Sequence, residues 1–265
     1  MDTWRLIPLT THNAAMNMAI DEAILTARIT DQAPNTLRLY KWQPSAVSIG
    51  KNQNPQNELY VDNCRKMGID IVRRISGGGT VFHSQTGEIT YSVIAQTTKI
   101  GNTIPATYQR IYAAVTDALR LLGIPADYNT GDTKTCPNLT VNNKKISGSA
   151  QAIRKGTLLQ HGTLLLDVDF NEMFQLLRVP WANNCMQVVA VAKRKITSVQ
   201  DTLNHAVKPE TAANALIEGF KNAFCIQLAV GELSPYEKEL SEKLYKEKYS
   251  TDNWNLNGKA TQAKL

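Results

Sequence analysis

The chain has 265 residues, 43% of them hydrophobic and 20% charged, with a formal net charge of +6 from 29 Lys and Arg against 23 Asp and Glu. That size and balance exclude wholesale disorder and predict one large domain over 1–265, with a small helical C-terminal portion at about 205–258. The mild, dispersed basic excess suits an anionic substrate or an acidic protein partner and falls short of a nucleic-acid footprint.

The opening MDTWRLIPLTTHNAAMNMAIDEAIL lacks a basic start followed by an apolar core, and no later window approaches about eighteen unbroken apolar residues, so a cytoplasmic location without membrane contact is expected. Cys64, Cys136, Cys185 and Cys225 lie far apart with no CxxC pair, which predicts free thiols.

In chain order, Ala14, Ala15, Met18, Ala19, Ala23 and Ile24 form an apolar stripe with Asp21 and Glu22 between them, predicting a helix over Asn13–Arg28. Strands are expected at Thr36–Tyr40, Ala46–Ile49, Asp70–Ile75 and Glu88–Ile94, with the glycine run Gly77-Gly78-Gly79 between the last two. A second helix runs from Tyr108 to a stop at Gly123, followed by strand-like pieces at Leu139–Val141, Lys145–Ser147 and Leu158–Leu166. The stretch from about Pro180 to Lys195 reads as a loop or minor boundary. Pro209–Phe224 reads as a helix, and Ser234–Lys248 as a charged amphipathic one; the residues after Trp254 are expected to fray. The order predicts an α+β domain with mixed or antiparallel β-sheets flanked by helices.

Three constellations carry chemistry. In RRISGGGTVFH, residues 73–83, successive glycines let a ligand approach the main chain and leave amides free for an anion, and Arg73 and Arg74 add bidentate cations. It lacks the Lys-Ser/Thr of a Walker A loop and the GxGxxG spacing of dinucleotide folds; a tight hairpin is the plain alternative. In NNKKISGSAQ, residues 142–151, a turn at Asn142-Asn143 followed by a strand sends Lys144 and Lys145 to opposite faces, so that one points inward to meet an anion. In LQHGTLLLD, residues 159–167, His161 sits within an apolar strand, where a hydrogen-bonded core histidine is commoner than a catalyst, and the same holds for His83. No spacing suggests a transition-metal site.

At these residues the chain resembles the lipoate-protein ligase and octanoyltransferase superfamily, related also to biotin-protein ligases. MNMAIDEAIL, RRISGGGTVFH, GEITYSV, KKISGSAQ, LQHGTLLLD and KYSTDNWN match segments of that family in the right order, almost end to end. The resemblance implies the catalytic domain of an ATP-dependent lipoate-protein ligase, which makes lipoyl-AMP from lipoate and passes the lipoyl group to a lysine of a 2-oxoacid dehydrogenase lipoyl domain or an H-like protein. It implies ATP and Mg2+ as cofactors. Lys145 would be the essential lysine, touching both carboxylate and phosphate. Arg74, Gly77, Gly78, Gly79, Thr80, Val81 and Phe82 would join it around the nucleotide, and Arg73, His83, Ser147, Gly148 and His161 around lipoate. Burying roughly six methylene-sized groups of the tail at about 0.8 kcal/mol each would contribute on the order of 5 kcal/mol.

The ligase expectation rests on IGKNQNP at 49–55 and on GGGTVFH, where transferases usually carry an arginine in or beside the glycines. Two features point instead to a cysteine-dependent octanoyl or lipoyl transferase. Cys136 lies shortly before the lysine strand, near where some transferases place their nucleophile. Asn138, the candidate metal residue, stands where ligases usually have aspartate, keeping an oxygen but losing its charge. A third expectation is a lipoate-binding subunit that is inactive without a separate accessory subunit.

Overall fold

The computed structural model describes residues 1–132, 135–179, 181 and 184–258. The strands are β1 (Thr3–His12), β2 (Thr36–Trp42), β3 (Ala46–Ile49), β4 (Asp70–Arg73), β5 (Val81–His83), β6 (Glu88–Gln96), β7 (Asp127–Asn129), β8 (Asn138–Val141), β9 (Lys144–Arg154), β10 (Thr157–Leu165) and β11 (Gln227–Val230). They form an eight-stranded sheet in the order β11-β1-β2-β6-β10-β9-β8-β7 and a three-stranded sheet, β4-β3-β5. In the larger sheet β1 runs parallel to both neighbours and the remaining pairs are antiparallel. This is the α+β arrangement of mixed sheets flanked by helices that the element order predicts.

The period of two in the central strands decides what each face meets. Leu37 and Leu39 of β2, Ile89, Tyr91 and Val93 of β6, and Leu158 and Leu164 of β10 share one core with helix α2 (Ile104–Leu121) and with Pro209–Phe224. The intervening Tyr40, Trp42, Ile94 and Leu159 belong to a second core on helix α1 (Ala14–Ile29). One face of the sheet is thus sealed by a helix pair, while the other carries α1 and the polar residues of the cleft described below.

Helix α1 begins where Asn13 accepts a hydrogen bond from the Met16 amide. Its stripe is wider than the apolar residues suggest, because Asn17, Asp21, Glu22 and Arg28 are buried as well. Helix α2 starts one turn before the expected Tyr108, at the Thr103 cap with a proline in its first turn, and stops before Gly123 at φ +81°. Asn142 and Asn143 both have positive φ, giving the tight turn that opens β9.

Two local readings need correction. The stretch expected to be a loop from about Pro180 to Lys195 holds helix α3 (Cys185–Lys195), capped by Asn184 on the Gln187 amide. Its only buried residues are Val188 and Ala192, a pair four apart that makes too short a stripe to register as periodicity. Pro180, Ala182 and Asn183 lie outside the described residues. Strand β1 was not expected, because Pro8 breaks the pattern; the pairing with β2 shifts register between Ile7 and Thr10, around the proline.

The charged helix near the C-terminus, α4 (Pro235–Leu244), opens with a Ser234–Glu237 capping box and continues as one π-helical turn, Tyr245–Tyr249. The residues after Trp254, expected to fray, begin in order: Asn255 is buried and donates to the Tyr249 carbonyl, and the Gly258 amide bonds the Trp254 carbonyl, while residues 259–265 lie outside the described residues. Among the described residues no helix is long and apolar enough to cross a membrane.

Candidate active site

A cleft of about 680 Å³, counting its open mouth, forms between the polar face of the large sheet and the small sheet. Strand β9 supplies Lys145, Gly148 and Ala150, β10 supplies His161 and Thr163, and β6 supplies Thr90. Ser48 of β3, Val81 and His83 of β5, and the loop residues Gly78, Gly79 and Thr80 line it from the small sheet. Tyr40, Trp42 and Met18 add apolar wall, and Cys136 and Pro137 close it from the segment before β8.

Under this cleft runs a continuous chain of side-chain hydrogen bonds centred on Arg74. Its guanidinium donates to Ser48 Oγ at 2.6 Å, to Ser76 Oγ at 3.3 Å, and to the carbonyls of Gly77 and Gly79 at 2.9 Å each. Ser48 Oγ is 2.7 Å from His83 Nε2, and His83 Nδ1 is 2.8 Å from Glu88. Ser76 Oγ is 2.7 Å from His161 Nε2, and His161 Nδ1 is 3.1 Å from Asp21. Asp21 is further held by Arg38 at 2.8 Å and by the Tyr40 hydroxyl at 3.0 Å.

The electrostatics follow from burial. Burial lowers the Arg74 guanidinium to about 10, which leaves it charged at neutral pH. Burial likewise lowers His161, outweighing the opposite pull of Asp21, so the neutral ring is favoured at neutral pH. Burial alone would raise Asp21, but its bonds to His161 and Arg38 prevail and hold it below the ordinary aspartate value.

Lys144 and Lys145 part as the strand period requires: Lys145 lines the cleft, while Lys144 borders a separate surface depression with Lys193 and Asp201. The Lys145 main chain is fixed by a hydrogen bond from the Thr197 amide at 2.9 Å. Water reaches its side chain, yet the crowding of protein atoms lowers the ammonium, offset in part by the charge of a Cys136 thiolate. Cys136 is exposed and its side chain shares the cleft with Lys145.

Of the residues singled out in the sequence, Arg74, Gly78, Gly79, Thr80, Val81, His83, Cys136, Lys145, Gly148 and His161 line one cavity. Arg73, Gly77, Phe82 and Ser147 do not. The Arg73 guanidinium instead binds five carbonyls, those of Gly50, Lys51, Gln53, Trp254 and Asn255. Phe82 packs in a third core with Val47, Ile49 and Met173. Asn138 turns its amide nitrogen to the Cys136 carbonyl at 3.1 Å, and among the described residues no cluster of three acidic, His or Cys side chains could hold a metal ion. A magnesium ion does not fit these donors.

Sequence reasoning missed Met18, Asp21, Tyr40, Trp42, Ser48 and Thr90. The polar residues Asn17 and Asp21, four apart within the apolar stripe of α1, were the available signal: a carboxylate on a buried helix face needs a partner.

Residues 13–221 match the model of the lipoyl protein ligase A/B catalytic domain. An octanoyltransferase LipM of Clostridioides difficile is 34% identical across 96% of this chain and 99% of its own length; that of Bacillus subtilis is 31% identical across 96% and 98%. Among solved structures, a bi-partite lipoate protein ligase from Thermoplasma acidophilum, described with its E2 lipoyl domain, superposes with a TM-score of 0.86 at 29% identity, covering 99% of both chains. A lipoate-protein ligase A bound with ATP gives 0.84 at 29% identity, covering 98% of this chain and 100% of that one. The chain belongs to the lipoyl protein ligase A/B catalytic-domain family.

These relatives correct the expected activity. Matching nearly the whole chain at 34% and 31%, they are octanoyltransferases, so the ATP-dependent lipoate ligase reading is overturned, and with it the acyl-adenylate. The physical sign was present at two positions: Asn138 lacks the charge a magnesium nucleotide needs, and Cys136 stands in the cleft wall.

Proposed function

We propose that this member of the family is a cysteine-dependent octanoyltransferase, moving an octanoyl group from a thioester donor to a lysine of a lipoyl domain or H-like protein. The observation that carries the reading is the presence of Cys136 and Lys145 in one cleft with an apolar wall. The Cys136 thiolate attacks the donor carbonyl, the donor thiolate leaves, and an octanoyl thioester forms on Sγ. The acceptor's neutral ε-amine then attacks that thioester, its extra proton passes to solvent as the tetrahedral intermediate collapses, Cys136 leaves as thiolate, and an amide remains. Lys145, as a cation beside the sulfur, favours the thiolate that attacks and later leaves. An amide is more stable than a thioester, so no nucleotide is consumed.

The tail needs an apolar seat, and Met18, Tyr40, Trp42, Val81 and Ala150 offer one. Burying roughly seven carbon groups at about 0.8 kcal/mol each contributes on the order of 5–6 kcal/mol before the costs of binding. Loop amides of Gly78 and Gly79, which donate no hydrogen bond among the described residues, supply donors for the oxyanion of the tetrahedral intermediate.

The test is intact mass after mixing the purified chain with an octanoyl thioester, without ATP. A single octanoyl adduct on Cys136 that a lipoyl domain discharges supports the reading; no adduct, or one that survives Cys136→Ala, sinks it. The likeness to a bi-partite ligase raises a second polypeptide as a partner. Transfer by this chain alone would dispose of that requirement and of the binding-subunit reading together.

A further inference from the structure

The chain of hydrogen bonds beneath the cleft has two arms of the same composition. Asp21, His161 and Ser76 make one; Glu88, His83 and Ser48 make the other; both end on Arg74. Neither serine is disposed as a nucleophile, since both are fully buried and both accept from the guanidinium. Each carboxylate can only accept, so Nδ1 of each histidine carries a proton. In His161, a neutral ring, that leaves Nε2 bare to accept from the Ser76 hydroxyl, whose lone pairs then face Arg74.

What Arg74 holds is the glycine loop. Its Nη2 takes the carbonyls of Gly77 and Gly79. The Gly78 carbonyl is pressed against β3's end, where a Cβ on Gly50 would stand 2.2 Å from it. All three loop carbonyls are thereby committed to the protein. In a trans peptide the following N–H points opposite its carbonyl, so the amides of Gly78 and Gly79 are turned away from those partners. These glycines are exposed and line the cleft.

We propose that Asp21 and Glu88 are positioning residues: acting through a histidine, a serine and Arg74, they set the glycine loop so that its amides form a fixed anion-binding edge of the cleft. The histidines are then tautomer-locked struts and not proton carriers for the reaction. The benefit of that edge for acyl transfer rests on the octanoyltransferase reading; the tautomers do not.

The test has a part that needs no substrate. Long-range 1H–15N correlation on the full chain labelled at its four histidines reads which ring nitrogen bears the proton. The expected result is a protonated Nδ1 at His83 and His161, with a bare Nε2 at His161. A bare Nδ1 at either residue overturns the proposal whatever the protein catalyses. In Asp21→Asn the His161 proton should move to Nε2, and the rate of octanoyl-Cys136 formation should fall by about tenfold or more, short of the roughly 100-fold cost of deleting an oxyanion donor, with donor KM changed less than kcat. Asp21 also pairs with Arg38; if its loss unfolds the variant, His161→Gln and His161→Ala decide. Gln offers Ser76 an acceptor and Ala does not, so Gln should retain the greater kcat, and equal rates for the two overturn the strut. A wild-type chain that forms no adduct fails the octanoyltransferase reading while the tautomers still decide this one.

Discussion

The Lys145 side chain folds back over Gly148: a Cβ placed on that glycine would stand 2.6 Å from both Cε and Nζ of the lysine. No real side chain fits so close, so the bare backbone of Gly148 is the seat of the ammonium. Gly148→Ala should displace the amine by about an ångström and lower transfer by about 100-fold, while thermal stability changes little. Octanoylation rate and melting temperature, measured together, check it; wild-type rate in the variant would mean Lys145 has no fixed seat.

The four cysteines should separate by reactivity. Cys136, Cys185 and Cys225 are exposed, whereas Cys64 is buried and its thiol is pushed up to about 11 by that burial. Alkylation at neutral pH, followed by peptide mass analysis, should therefore mark three sites and spare Cys64. Prior incubation with an octanoyl thioester should protect Cys136 alone. Protection spread over several cysteines would speak against a dedicated nucleophile.

Removing the Arg73 guanidinium leaves five carbonyls without their donor and frees the segment around Trp254. Arg73→Ala should cost about 3 kcal/mol, at the upper end for lost buried hydrogen bonds. Arg73→Lys should recover little of it, because one ammonium cannot span the places a planar fork reaches. Urea titration of the two variants gives both values, and near-complete recovery by lysine would show that charge alone matters.

Acid should loosen the protein in two steps. His161 is lowered from 6.5 chiefly by burial, so the unfolded chain takes up its proton first, and stability declines as pH drops below 6.5 towards the folded value. Glu22 lies below 4.5 because Lys248, Tyr249 and Arg154 together outweigh the burial that would raise it. Its contribution is complete above 4.5 and is lost as pH falls through the folded value. Denaturant midpoints followed from about pH 7 to pH 3 should fall in both windows, and Glu22→Gln should flatten only the lower one. An unchanged lower limb in that variant would remove Glu22 from the account.

Most of the central elements were legible. Ala46–Ile49 and Pro209–Phe224 fall where local pattern puts them, because β-branched runs and a proline-led amphipathic stretch declare themselves within a few residues. Gly78, Gly79, Lys145 and His161 stood out as candidates from short local motifs alone, and they line one cleft. Arg73 and Arg74 show the limit: adjacent and chemically identical, they read as twin anion binders, yet one ties down a distant segment and the other supports the loop. That difference is set by which strand face each occupies, which needs the partner strands to be known. Asp21 and Glu88 escaped notice because their partners lie on other elements. The ligase reading was overturned by the octanoyltransferase relatives, and Cys136 and Asn138, an isolated thiol and an isolated amide, were too little local pattern to decide it.

The bonds joining Glu22, Arg73 and Arg5 to Tyr249, Trp254 and Glu237 span 227, 181 and 232 residues. During synthesis those early charged side chains leave the ribosome long before their partners exist. The Pro235–Asn255 segment can therefore dock only after those residues have been made, and until then Glu22, Arg73 and Arg5 lack these partners. A slow final docking of the Pro235–Asn255 segment, sensitive to ionic strength, is the kinetic trace this order of events should leave.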